Sequence, residues 1–182
     1  LAIANLLIEA GANLDGTSYF DLSPLHMSIR LGHWKIAYSL LKAGASPNYH
    51  NVHNPGMLFL EATIRYLRKP SEETENVLVS LLRNEADISN LTIFDDPVTM
   101  DSMMLKVHTN LLAELILAGA VPSKTESKGS TALLQTVSRR DLEQKEKFAM
   151  TEMLLEAGAD PNAPSVYDST RHKALSWASF KG

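Results

Sequence analysis

Ser23-Pro24-Leu25-His26-Met27-Ser28-Ile29-Arg30-Leu31-Gly32-His33 opens a stretch that continues through Trp34-Lys35-Ile36-Ala37-Tyr38-Ser39-Leu40-Leu41-Lys42 to Ala43-Gly44-Ala45-Ser46-Pro47-Asn48. Ser23 has the side chain of a helix N-cap, and Pro24 falls at the first helical position, where a missing N–H costs nothing. A short helix therefore starts at Pro24. Gly32 ends it by allowing the left-handed backbone of a tight turn. A second, apolar-striped helix is expected from about Trp34 to Lys42, stopped by Gly44. Gly, Asn, Asp and Pro beyond it favour an extended hairpin.

The end of this stretch recurs. Leu-Leu-x-x-Ala-Gly-Ala at Leu6–Ala12 recurs in near-register, one residue shorter and with Leu or Ile second, at Leu40–Ala45, Leu115–Ala120 and Leu154–Ala159. The glycines are 33 residues apart from Gly11 to Gly44, 75 from Gly44 to Gly119 and 39 from Gly119 to Gly158. The long interval resolves into 41 and 34 if Glu85-Ala86-Asp87, which follows Leu81-Leu82, fills the same slot with Glu in place of Gly. One helix pair cannot cover its own leucine face, so neighbouring units must stack, and stability resides in the interfaces between them.

The second unit, with Ser-Pro-Leu-His, Gly-His, Leu-Leu and Gly-Ala at these offsets, resembles the ankyrin repeat. The fifth echoes it with Gly129-Ser130-Thr131-Ala132-Leu133, Leu154-Leu155, Gly158-Ala159-Asp160 and Asn162, and the others match more loosely. The resemblance implies an all-α fold, an ankyrin-repeat solenoid of stacked helix-turn-helix units joined by hairpin loops. The expected organisation is one domain over 1–182, with a partial unit 1–15, units 16–48, 49–89, 90–123 and 124–162, and a partial unit 163–182. Since both ends fall inside a unit, an excerpt of a longer array is expected. The fourth unit should be the least regular, because Val98-Thr99-Met100-Asp101 replaces the Thr-Pro-Leu-His start.

Composition narrows the function. The 182 residues are 45% hydrophobic and 21% charged, ample for a core, and 17 basic against 21 acidic side chains leave a formal charge of −4. No segment concentrates basic residues as nucleic-acid binders do, so no nucleic-acid partner is expected. The longest apolar stretch, around Leu111 to Val121, is interrupted by Glu114 and too short for a bilayer, so no membrane insertion is expected. The absence of cysteine removes disulfides, thiolate metal sites and cysteine nucleophiles together, and points to an intracellular setting, cytoplasmic or nuclear.

No catalytic, metal or cofactor site is expected. His26, His33 and His108 stand where the resembling repeats use histidine to tie adjacent backbone together, and none has a partner implied for general base work. His50-x-x-His53 lacks the third ligand of catalytic zinc. Asp95-Asp96-Pro97 lacks the ordered oxygens of a calcium loop. Two insertions stand out. Arg65-Tyr66-Leu67-Arg68-Lys69-Pro70 is read as a solvated connector before a helix restarted by Ser71-Glu72-Glu73, and Ser138–Lys147 as an extension of both helices of the fifth unit around a polar turn.

In ankyrin-repeat proteins the hairpin tips and the exposed side of the first helices form a concave strip that grips another protein. By position, the resemblance places Met27 and Arg30, Leu60 and Thr63, Gln135 and Arg139, and Trp177 and Phe180 on that strip, with Tyr19 and Phe20 at a hairpin tip. Aromatic and arginine side chains are the usual anchors of an interface. The expected function is a non-enzymatic protein–protein interaction module, an adaptor or scaffold binding another protein or peptide segment. The alternative is the substrate-recruiting or regulatory arm of an enzyme assembly, such as a ubiquitin ligase receptor.

Overall fold

A computed structural model describes residues 1–16, 22–49, 57–88, 107–120, 132–163 and 173–181, with residues 180 and 181 described by their backbone alone. The regular structure of these residues is helical throughout, with no strand among them. The chain divides into two compact units, Leu1–Pro97 and Val98–Gly182.

Unit 1 contains α1 (Ala2–Glu9), α2 (Pro24–Arg30), α3 (Trp34–Lys42), α4 (Met57–Arg68) and α5 (Glu72–Arg83). The start and stop signals work as the residues require. Ser23 Oγ accepts the His26 N–H at 3.2 Å, and Gly32 takes φ +73° between α2 and α3. The second helices α1, α3 and α5 form one layer, while α2 pairs with α4 in the other. Leu25, Ile29, Ala37, Leu41, Leu58, Phe59, Val77, Leu78 and Leu81 are sealed between the layers. At about 25 cal/mol per Å2 of apolar surface, that burial is the main force holding the pairs together.

Each second helix closes in the same way. The N–H three residues past the helix reaches back to a leucine carbonyl, as from Ala45 to Leu40 and from Ala86 to Leu81, both at 3.0 Å. Such a closure needs a left-handed residue just before that N–H. Gly44 supplies it with φ +93°, and Glu85 occupies the equivalent slot with φ +59°. The substitution inferred from spacing is thus a backbone fact. Ala45 and Ala86, which follow, are buried, which explains why a small apolar residue is paired with the glycine.

Side-chain ladders connect successive turns. Asp15 Oδ1 accepts the Ser46 N–H at 2.9 Å, and Asn48 Oδ1, one repeat on, accepts the Asp87 N–H at 2.9 Å. Asn48 Nδ2 also donates to the Glu85 carbonyl at 2.8 Å. The same carboxylate or carboxamide position, four residues after the turn, therefore fixes the spacing of consecutive repeats.

The first insertion departs from the sequence reading. Arg65 to Arg68 is not a solvated connector but an extra turn of α4, and Tyr66 is only 1% exposed. The reason is register: Leu58, Ala62 and Tyr66 are spaced by four and continue one buried stripe until Pro70 forbids more helix. Ser71 then caps α5, exchanging hydrogen bonds with Thr74 in a capping box, and Glu72, Glu73 and Glu75 sit in the first turn, where the helix dipole favours them.

Unit 2 contains α6 (Thr109–Leu117), α7 (Ala132–Ser138), α8 (Gln144–Glu156) and α9 (Ala174–Lys181). Helix α8 packs on α6 and α7, and α9 on α7, around Leu111, Leu112, Leu115, Leu133, Met150 and Leu154. The second insertion lengthens α8 only. Helix α7 stops at Ser138, and the turn is not wholly polar, since Arg139 and Leu142 are both 6% exposed. The first helix of the fourth unit, His50, His53, Asp95 and Asp96 lie outside the described residues.

Candidate functional site

Helix α2 is divided by its packing. Leu25, Ser28 and Ile29 are buried, Met27 is half-buried and Arg30 exposed, so the last two share the open side. Helix α4 beside it is closed more fully: Leu58, Phe59, Leu60, Ala62, Thr63 and Tyr66 are all buried. Leu60 and Thr63, placed on the strip from sequence, are core residues, and Thr63 Oγ1 donates back to the Phe59 carbonyl at 2.8 Å. Glu61 and Arg65 take their place, linked at 3.3 Å across one helical turn.

These groups form a cluster that the sequence reading missed by putting Arg65 in a loop. The His26 ring, 13% exposed, lies 3.9 Å from the Glu61 carboxylate. Arg65 donates from Nη2 to the Arg30 carbonyl at the end of α2. Burial lowers the His26 pKa from its ordinary 6.5, with Glu61 opposing and Arg30 reinforcing the shift. At neutral pH the ring is therefore uncharged. The signal that would have exposed this cluster is the Glu61 and Arg65 pair, spaced by four on one helix face.

In unit 2, Gln135 and Arg139 are buried at 9% and 6% exposure. Arg139 donates to the Val107 carbonyl and forms a fork with Asp141, Nη2 to Oδ2 at 2.6 Å and Nε to Oδ1 at 3.1 Å. That fork holds the Asp141 carboxyl below its ordinary range. Arg139 thus ties the turn after α7 to the residue that leads into α6. His108, the N-cap residue of α6, sits 2.9 Å from Glu146 of α8. Trp177 is half-buried on α9. Tyr19 and Phe20 lie outside the described residues, as does the side chain of Phe180. No group of three or more His, Asp or Glu placed to hold a metal ion occurs among the described residues, and no described helix is long and apolar enough to cross a membrane.

The arrangement agrees with the comparisons. Residues 20–52, which span α2, α3 and the Gly44 turn, match the family described as Ankyrin repeat. Among solved structures, the ankyrin repeat protein EF0377 aligns over 99% of this chain and 85% of its own, with TM-score 0.56 and 19% identity. The ankyrin repeat domain of Bcl-3, described as a unique member of the IkappaB protein family, aligns over 97% and 86%, with TM-score 0.44 and 19% identity. No curated protein matches. The fold is that of an ankyrin-repeat array, and residues 20–52 are an ankyrin repeat.

Proposed function

We propose that the chain is a non-enzymatic protein–protein interaction module, an adaptor or scaffold that holds a partner segment against the open side of its first helices. The observation that carries this reading is the α2 and α4 face of unit 1. It carries a half-buried Met27 and an exposed Arg30 on α2 and the Glu61–Arg65 pair on α4, and methionine and arginine are enriched at protein interfaces. Helix pairs held by several independent closures present such a face without ordering it at the moment of binding, which limits the entropic cost of association. Trp177, half-buried on α9, is the corresponding anchor in unit 2. The absence of cysteine fits an intracellular setting, cytoplasmic or nuclear.

The test is affinity capture with the 182-residue chain, in parallel with Met27→Ala combined with Arg30→Ala, and with Trp177→Ala. Proteins captured by the unmodified chain should fall away with one or both variants. Undiminished capture by both would remove this face from consideration.

A further inference from the structure

Two clefts in unit 1 meet at Trp34 and Glu73. The larger, of about 400 Å3, is walled by Trp34, Arg65, Arg68, Lys69 and Glu73 where the helix pairs turn. The smaller, of about 240 Å3, lies along α1, α3 and α5 and is walled by Asn5, Trp34, Tyr38 and Glu73. Both open among the second helices and their turns, whereas Met27 and Arg30 belong to the open side of α2.

Glu73, the carboxylate that lines the larger cleft, is already engaged, as is Glu61 beside Arg65. Glu73 pairs with Lys35 at 3.3 Å and Glu61 with Arg65 at 3.3 Å. Arg68 and Lys69 are exposed, and no carboxylate among the described residues pairs with them. Of the charged side chains that line this cleft, Arg68 and Lys69 are thus the two without an ion-pair partner among the described residues. The rim is not a helix N-terminus in another form, because the first turn of α5 is closed by the Ser71–Thr74 box and carries three glutamates. Trp34, which lines both clefts, and Tyr38, which lines the smaller one, supply aromatic surface beside the two cations.

We propose that this double cleft binds an extended acidic peptide segment of a partner protein, carboxylates on Arg68 and Lys69 and a neighbouring apolar side chain against Trp34 and Tyr38. A peptide fits better than a bare polyanion, since it brings both carboxylates for Arg68 and Lys69 and an apolar side chain for Trp34 and Tyr38. The two charges at the rim act on affinity mainly through electrostatic complementarity, so binding weakens with salt.

The experiment uses the whole 182-residue chain and a fluorescein-labelled peptide in which one phenylalanine is followed by four glutamates, read by anisotropy. Saturable binding is expected, weakened about five- to tenfold by Arg68→Gln combined with Lys69→Gln, with an unchanged circular dichroism spectrum because both residues are exposed. Met27→Ala with Arg30→Ala should leave it intact, which separates this site from the face of the preceding proposal. The inference is overturned by any of four results: no saturable binding, equal affinity for the peptide with glutamine in place of glutamate, equal affinity for a single-stranded oligonucleotide of the same charge, or loss with the Met27 and Arg30 variant but not with Arg68 and Lys69.

Discussion

Glu85 has φ +59° where Gly11, Gly44, Gly119 and Gly158 have φ between +80° and +93°. A side chain in this region crowds its own carbonyl at a cost of about 1–2 kcal/mol, of which the greater freedom of glycine in the unfolded chain offsets about 0.5–1 kcal/mol. Glu85→Gly should therefore stabilise the protein by about 0.5–1 kcal/mol in urea unfolding. Gly44→Ala should do the opposite by a similar amount, although no neighbour stands within 4 Å of the added methyl, because the strain lies in the backbone alone. His26 gives a second test at this scale. Its folded-state pKa lies below 6.5 because burial disfavours the charged ring, so the unfolded chain takes up the proton first. Stability should be full above about pH 6.5 and fall as the pH drops through the folded value. His26→Gln should flatten that slope in urea midpoints measured across the range.

At the scale of the element, the turn after α7 depends on one guanidinium. Arg139 is buried and holds both the Val107 carbonyl and Asp141, so Arg139→Ala should destabilise unit 2 by about 2–3 kcal/mol, as loss of buried charge-assisted hydrogen bonds does. Reduced partner binding by that variant would then reflect altered folding, which a melting curve separates from a lost contact. Asp141→Asn should cost less, about 1 kcal/mol, since its side chain is 61% exposed and solvent screens it. The sign with pH is fixed: Asp141 has a folded-state pKa below 3.8, so its contribution is present above that value and lost as the pH falls through the folded one. The gap between the parent and Asp141→Asn should therefore close in acid. Element boundaries were legible at Ser23, Pro24, Gly32, Gly44 and Ser71, because caps and left-handed turns are local chemistry. The extent of α4 was not, because Arg65-Tyr66-Leu67-Arg68 followed by Lys69-Pro70 has the polarity of a loop, and only the packed molecule shows Tyr66 buried.

At the scale of the whole molecule, stability should follow burial between repeats. Leu81→Ala and Leu111→Ala, both at sites with no exposure, should each cost about 2–5 kcal/mol, and Leu117→Ala, at 82% exposure, should change unfolding little. Circular dichroism should be dominated by helix. The repeat period, the helix pairs and the left-handed slot at Glu85 were determined by the sequence, because each depends on spacing or on the conformational limits of single residues. Which side chains face outward was decided only by the tertiary structure. Leu60 and Thr63 look like surface positions when α4 is aligned with α2, yet both are buried in the packed molecule. Arg139 looks like an interface anchor, yet it is buried against the Val107 carbonyl and Asp141. Arg68 and Lys69 look like a solvated turn, yet they rim a cleft whose opposite wall, Trp34, comes from another helix. Exposure and convergence are properties of neighbours brought together from distant parts of the chain, and no local pattern of residues encodes them.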